Sequence, residues 1–170
     1  MPTQRPTRPE TTLRNRLEMQ GFLDLDDETL LRAGPWLRLA PASCAAWAAL
    51  GLVLWSPGVV LALVPFAALG VVLRNHPFDL VHTYVVARRT GAPSLPRHGA
   101  PRRFACGVAT LWLLGLAYVL ATGPGWLGRL LGVAFVISAL IPATTDFCIP
   151  SWLFSKVMGR RTKRVVPESA

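Results

Sequence analysis

Charge is scarce in this chain, and cysteine scarcer. Only 16% of its 170 residues are charged, against about a quarter in soluble domains. With 52% hydrophobic residues and a mean hydropathy of +0.40, the composition excludes a chain folded in water alone. Three cysteines make an odd count with no paired spacing, which argues against a disulfide framework. Three thiols and a histidine would satisfy zinc chemically, yet their spacing matches no zinc motif, so no metal is expected. No glycine-rich phosphate loop is present and no Ser/His/Asp set is suggested by spacing, so no cofactor is expected either. Residues 1–38 carry six arginines and six acids but no early apolar core. A cleaved secretory signal is therefore not expected, and the first membrane helix should act as an uncleaved insertion signal.

Uncharged runs are what the chain has instead. Arg38 is followed by 35 residues without a formal charge, ending at Arg74; two more uncharged runs cover 104–127 and 130–145. Runs of about 18 or more apolar residues mark bilayer-spanning helices. The first run is too long for one crossing and breaks at Ser56-Pro57-Gly58, because adjacent proline and glycine favour a turn. The last two are separated by Gly123-Pro124-Gly125. The expected fold is thus an all-α integral membrane protein with four transmembrane helices as two hairpins (40–55 with 59–73, and 104–121 with 130–145) and short amphipathic cytoplasmic or interfacial helices. No acid interrupts the middle of a span, which disfavours proton-coupled transport. Glycines such as Gly51, Gly70, Gly107, Gly115 and Gly132 should let the helices pack closely.

The domain plan follows. Residues 1–38 form a tail with two short helices, 39–73 hairpin 1, 74–103 a loop with an interfacial helix, 104–145 hairpin 2, and 146–170 an interfacial helix with a basic tail. Trp55 and Trp126 sit at the two turns, as interfacial aromatics do, with Trp36 and Trp152 at the opposite interface. Basic residues number six in the first tail, six over 74–103 and five in the last tail, leaving only Arg129 in a turn on the other side. This asymmetry puts both termini and the central loop in the cytoplasm. It also explains the net charge of +9 without nucleic acid, because every basic cluster flanks a span. Arg74, Arg88, Arg89, Arg102, Arg103, Arg160 and Arg161 are expected to meet anionic lipid headgroups. The richness in Leu, Ala, Arg, Gly and Pro fits a GC-rich bacterium, and so the bacterial inner membrane.

In the first tail, Leu13, Leu17 and Gln20 share a helix face that Thr11 or Thr12 caps and Gly21 ends. A second helix is signalled by Asp26 as its cap and by Leu25 with Leu30 as a hydrophobic staple. Capping also accounts for the acidic run 24–28 better than calcium, since the glycine and distal glutamate of a calcium loop are missing. After the second span, Pro77 opens an amphipathic segment 77–89 in which Phe78, Val81 and Val85 share a face and Asp79 meets the positive helix end. A similar segment covers 150–161.

Candidate chemistry gathers at one depth. Cys44 begins the first span, Cys106 the third, and Cys148 follows the fourth. His76 and Asp79 follow the second span, and Asp146 the fourth. Cys148 is the leading candidate. It precedes Pro150, and unpaired N–H groups at the start of the following helix would stabilise a thiolate. Ser151 completes a C-x-x-S arrangement, which leaves one-thiol chemistry only. His76 is expected as a cap or headgroup partner, and His82 and His98 as solvated.

The strings HPFDLVHTYVVARR, GAPRRFACG and DFCIPSWLF resemble a bacterial membrane family, domain of unknown function 4395. Pro101, Arg103, Phe104 and Ala105 fit its Pro-x-Arg-Phe-Ala element, and Phe147, Cys148 and Pro150 fit its Phe-Cys-x-Gly/Pro-Cys element. The resemblance implies small multi-span proteins. Ser151 stands where the family pattern has a second cysteine, so a dithiol role does not carry over. Thin polar chemistry and small size favour a non-catalytic accessory or scaffold subunit with membrane-protein partners. A thiol-redox or sulfur-handling protein using Cys148 is the alternative.

Overall fold

Proline and glycine punctuate the chain, and the helices begin and end at them. The computed structural model describes residues 8–22, 35–73, 75–90 and 99–158. Among these residues every regular element is helical. In order they are α1 (Arg8–Met19), α2 (Leu39–Val53), α3 (Pro57–Val72), α4 (Pro77–Val81), a π-helical turn (His82–Val86), α5 (Ala87–Thr90), α6 (Ala100–Thr122), α7 (Gly125–Thr145) and α8 (Ile149–Met158). The second tail helix with Asp26, Leu25 and Leu30, the acidic run 24–28, and Arg74, His98, Arg160 and Arg161 lie outside the described residues, as does the His82 side chain.

α1 starts at Arg8, upstream of Thr11 and Thr12, so neither threonine caps it. It does stop at Gly21, whose φ of 89° lies in the left-handed region. Phe22 N–H donates to Leu17 O at 3.1 Å and Gly21 N–H to Glu18 O at 2.9 Å, the paired bonds of a Schellman stop. A Cβ on Gly21 would fall 2.8 Å from Gly99 Cα, so this glycine also lets α1 rest on the entry to α6.

Three helical stretches are long and apolar enough to cross a membrane: Pro35–Val53, Ala100–Thr122 and Gly125–Thr145. The expected second span, 59–73, is different. α3 has 16 residues, short of the roughly 20 a crossing needs, and it qualifies only together with Pro77–Val85 across an 82° bend. The turns are also tighter than expected. Ser56 caps α3 by accepting from Val59 N–H at 3.3 Å, and Pro57 is already its first residue. Gly125 likewise opens α7, so Arg129 stands inside that helix, its Cζ 5.9 Å from the Trp55 ring centroid, rather than in a turn.

The two hairpins pack mainly crosswise, α3 against α6 and α2 against α7. Ala48, Val60, Leu63, Ala67, Leu113, Leu116 and Phe135 make the core between them. Gly51, Gly70 and Gly132 each meet a neighbouring side chain closely, whereas Gly115 faces open space. Large residues such as Leu61, Leu111, Tyr118, Val133 and Ile137 turn outward. Such an uncovered apolar belt is what a lipid-facing bundle presents.

The segment after α3 departs from a simple amphipathic helix. Phe78 is packed inward, stacked on Phe66 with centroids 5.3 Å apart, while Val85 is exposed. The π-helical turn between them widens the helical repeat, so the 3.6-residue register that would put both on one face is lost.

Candidate functional site

Each element brings one chemical group to the end of the bundle where α2 and α6 begin and α3 and α7 finish. Cys44 lies in the second turn of α2 and Cys106 in the second turn of α6. Cys148 precedes α8, its carbonyl accepting from Trp152 N–H at 2.9 Å. All three are free thiols, and all three line one cavity of about 130 Å³ together with His76, Arg102 and Trp112. The three cysteines of the chain therefore come together although 104 positions separate Cys44 from Cys148. They do not form a ligand cage. Among the described residues no group of three His, Cys, Asp or Glu side chains is placed to hold a metal ion.

The inner wall depends on Gly70 of α3. A Cβ there would sit 2.8 Å from His76 Cδ2 and 2.9 Å from Cys106 Sγ, so glycine is what lets the ring and the thiol approach α3 from two sides. His76 lies beyond the end of α3 and is buried. It caps α4, its carbonyl accepting from Asp79 N–H at 2.8 Å and its Nδ1 from Phe78 N–H at 3.4 Å. Burial, with the positive charge of Arg102 adding to it, pushes the imidazole down to about 4. The ring is neutral near pH 7, and because Nδ1 accepts, its single proton belongs on Nε2.

Arg102 was expected at lipid headgroups, and the structure corrects this. The side chain is buried in the first turn of α6. Its Nη2 donates to Leu37 O at 3.3 Å and lies 3.7 Å from Asp79 Oδ2, while the guanidinium covers the Phe22 ring at 5.1 Å. A buried cation needs such compensation, because desolvation of a lone charge is costly. Arg103 turns elsewhere, donating to Val71 O at 2.6 Å and to Val72 O at 3.2 Å. It thereby satisfies orphan carbonyls at the end of α3, where a cation also suits the helix dipole. Of the described basic residues expected at headgroups, Arg88 and Arg89 remain exposed, Arg88 over the Tyr84 ring at 5.7 Å. Trp36 is exposed, and Trp152 is half-buried with Lys156 Nζ 4.7 Å from its ring centroid.

Two further candidates are committed to architecture. Asp146 ends α7 in the left-handed region, with φ 56°. Its carboxylate takes a bidentate grip from Arg38, Nε to Oδ1 at 2.9 Å and Nη2 to Oδ2 at 2.5 Å, and its carbonyl accepts from Gln20 Nε2 at 2.6 Å. Ser151 is fully buried and donates to Pro101 O at 3.2 Å, tying α8 to α6.

Sequence reasoning missed Trp112. Its Nε1 is buried and finds no acceptor among the described residues, whereas Trp47 Nε1 donates to Val59 O at 2.9 Å. The available signal was a tryptophan in the middle of a span, away from either interface.

No curated protein and no solved structure matches the chain. The family model described as "Domain of unknown function (DUF4395)" matches residues 34–159, which covers most of the chain and both hairpins. The chain belongs to that family.

Proposed function

We propose that this is a bacterial inner-membrane thiol protein whose cavity, at the cytoplasmic end of the bundle, takes up a small sulfur compound. The observation that carries the reading is that Cys44, Cys106 and Cys148, from three separate elements, line one cavity. The cytoplasmic orientation rests on the basic asymmetry, and the exposed Arg88 and Arg89 support contact with anionic headgroups. The chemistry is thiol exchange on a sulfane donor R–S–SH. A cavity thiolate attacks the outer sulfur, a new S–S bond forms to give Cys–S–SH, the donor's own S–S bond breaks, and R–S⁻ leaves with the bonding pair. Electrons balance without any outside oxidant, since sulfane sulfur only changes carrier. The accessory-subunit reading rests on the thin polar chemistry elsewhere in the chain and on its small size.

The test is mass spectrometry of full-length protein in nanodiscs after exposure to a sulfane donor. A cysteine should gain the mass of one sulfur atom, and the gain should vanish in Cys44→Ser/Cys106→Ser/Cys148→Ser. If no cysteine gains sulfur and the protein co-purifies with a stoichiometric membrane partner, the accessory-subunit reading replaces this one.

A further inference from the structure

The cavity has an uneven supply of hydrogen-bonding groups. Among the described residues its lining contains no Asp or Glu. Trp112, Arg102 and His76 bring N–H donors to it, beside Gln20 and Ser138, which can both donate and accept. The Trp112 Nε1–H is buried and finds no acceptor. The Arg102 guanidinium carries five N–H groups, of which one hydrogen bond, to Leu37 O, is formed in the described structure. Its charge is paired with the Asp79 carboxylate, whose Oδ2 lies 3.7 Å from Nη2, a spacing that leaves the remaining guanidinium N–H groups untaken. The neutral His76 ring contributes its Nε2–H, since Nδ1 is occupied by Phe78 N–H. A buried donor left without an acceptor is costly, so the site is completed by a species that brings acceptor oxygens to Trp112 and Arg102.

Size narrows the species. A cavity of about 150 Å³ accommodates benzene, so this one, about 130 Å³, holds roughly five or six non-hydrogen atoms. A small oxoanion fits that volume.

We infer that the cavity is an anion site, in which Trp112 and Arg102 hold the oxygens of a small sulfur oxoanion beside the three thiols. The choice of a sulfur oxoanion rests on the thiol reading above; the choice of an anion rests on the donor set alone. Thiosulfate has the required form, with three oxygens for the donors and an outer sulfane sulfur for a thiol. A cysteine thiolate attacking that sulfur forms Cys–S–S⁻, the S–S bond breaks, and sulfite leaves carrying the bonding pair.

The experiment measures binding by calorimetry with full-length protein in nanodiscs. The probes are thiosulfate and sulfate, an anion of similar size without a transferable sulfur. Both should bind the wild type. Trp112→Phe keeps the ring and removes the donor, so it should weaken both anions about ten- to a hundredfold, the effect of one hydrogen bond to a charged group. Arg102→Lys is the companion variant; should it not fold, Trp112→Phe decides alone. The triple cysteine-to-serine variant should still bind both anions. Binding of both anions with no sulfur gained on any cysteine would support the anion site and remove the thiol reading. No binding of either anion to the wild type, or wild-type affinity in Trp112→Phe, would overturn the anion site whatever the cysteines do.

Discussion

Asp146→Asn isolates the charge in the clamp that ties the start of the first apolar stretch to the end of α7. Asparagine keeps the shape of the side chain and tolerates the left-handed backbone at this position, so the α7 stop itself should survive. What is lost is the negative partner of a bidentate Arg38. A hydrogen bond to a charged group contributes about 1.5–3 kcal/mol when sheltered, whereas a solvent-exposed ion pair contributes about 0.2–1 kcal/mol. Here the Asp146 side chain is 6% exposed and that of Arg38 43%, so the pair stands between those limits. Discounted for solvent screening, the expected coupling is about 1–2 kcal/mol. For a chain of this length that corresponds to roughly 3–6 °C in melting temperature. The assay is a double-mutant cycle of wild type, Asp146→Asn, Arg38→Gln and the pair, melted as full-length protein in one detergent. The single variants should each be destabilised, and the double variant should cost clearly less than their sum. A coupling below about 0.3 kcal/mol, the ordinary scatter of independent sites, would refute the clamp.

Other consequences can be measured on the same preparations. His76 is held at about 4, below its ordinary 6.5, by burial and then by Arg102. The folded state therefore binds fewer protons than the unfolded chain between those values, and stability present above pH 6.5 is lost as pH falls through 4, up to about 3 kcal/mol in all. His76→Gln should flatten the melting-temperature profile over pH 7.5 to 4, and identical profiles would remove His76 from the account. Leu63→Ala, in the crosswise core, should cost about 2–5 kcal/mol. Leu111→Ala, on the outer face of α6, should stay within about 0.5 kcal/mol; comparable losses would reverse the assignment of inner and outer faces. Ser151→Ala should cost about 1 kcal/mol through the lost bond to Pro101 O, read as a lower melting temperature.

The adjacent arginines at the start of α6 show where sequence reading stops. Along the chain Arg102 and Arg103 form one basic cluster beside a span, and a headgroup role is the natural inference. A helix turns about 100° per residue, so the two side chains leave the axis in different directions. Arg102 enters the interior and Arg103 reaches the end of α3. Similarly, Phe78 and Val85 share a face on a regular helix, and only the π-helical turn separates them.

The presence of apolar helices, the breaks between them and the family resemblance were legible in the sequence, because transfer into hydrocarbon and the backbone limits of proline and glycine act residue by residue. His76 as a helix cap was legible for the same local reason. Tertiary structure alone decided that α3 bends into Pro77–Val85. It alone brought Cys44, Cys106 and Cys148 to one cavity and left Trp112 Nε1 without an acceptor. Those outcomes depend on which face of each helix meets which neighbour. Hydropathy sums do not carry that information, since core and lipid are equally apolar and a helix gains nearly the same transfer energy whichever face turns inward.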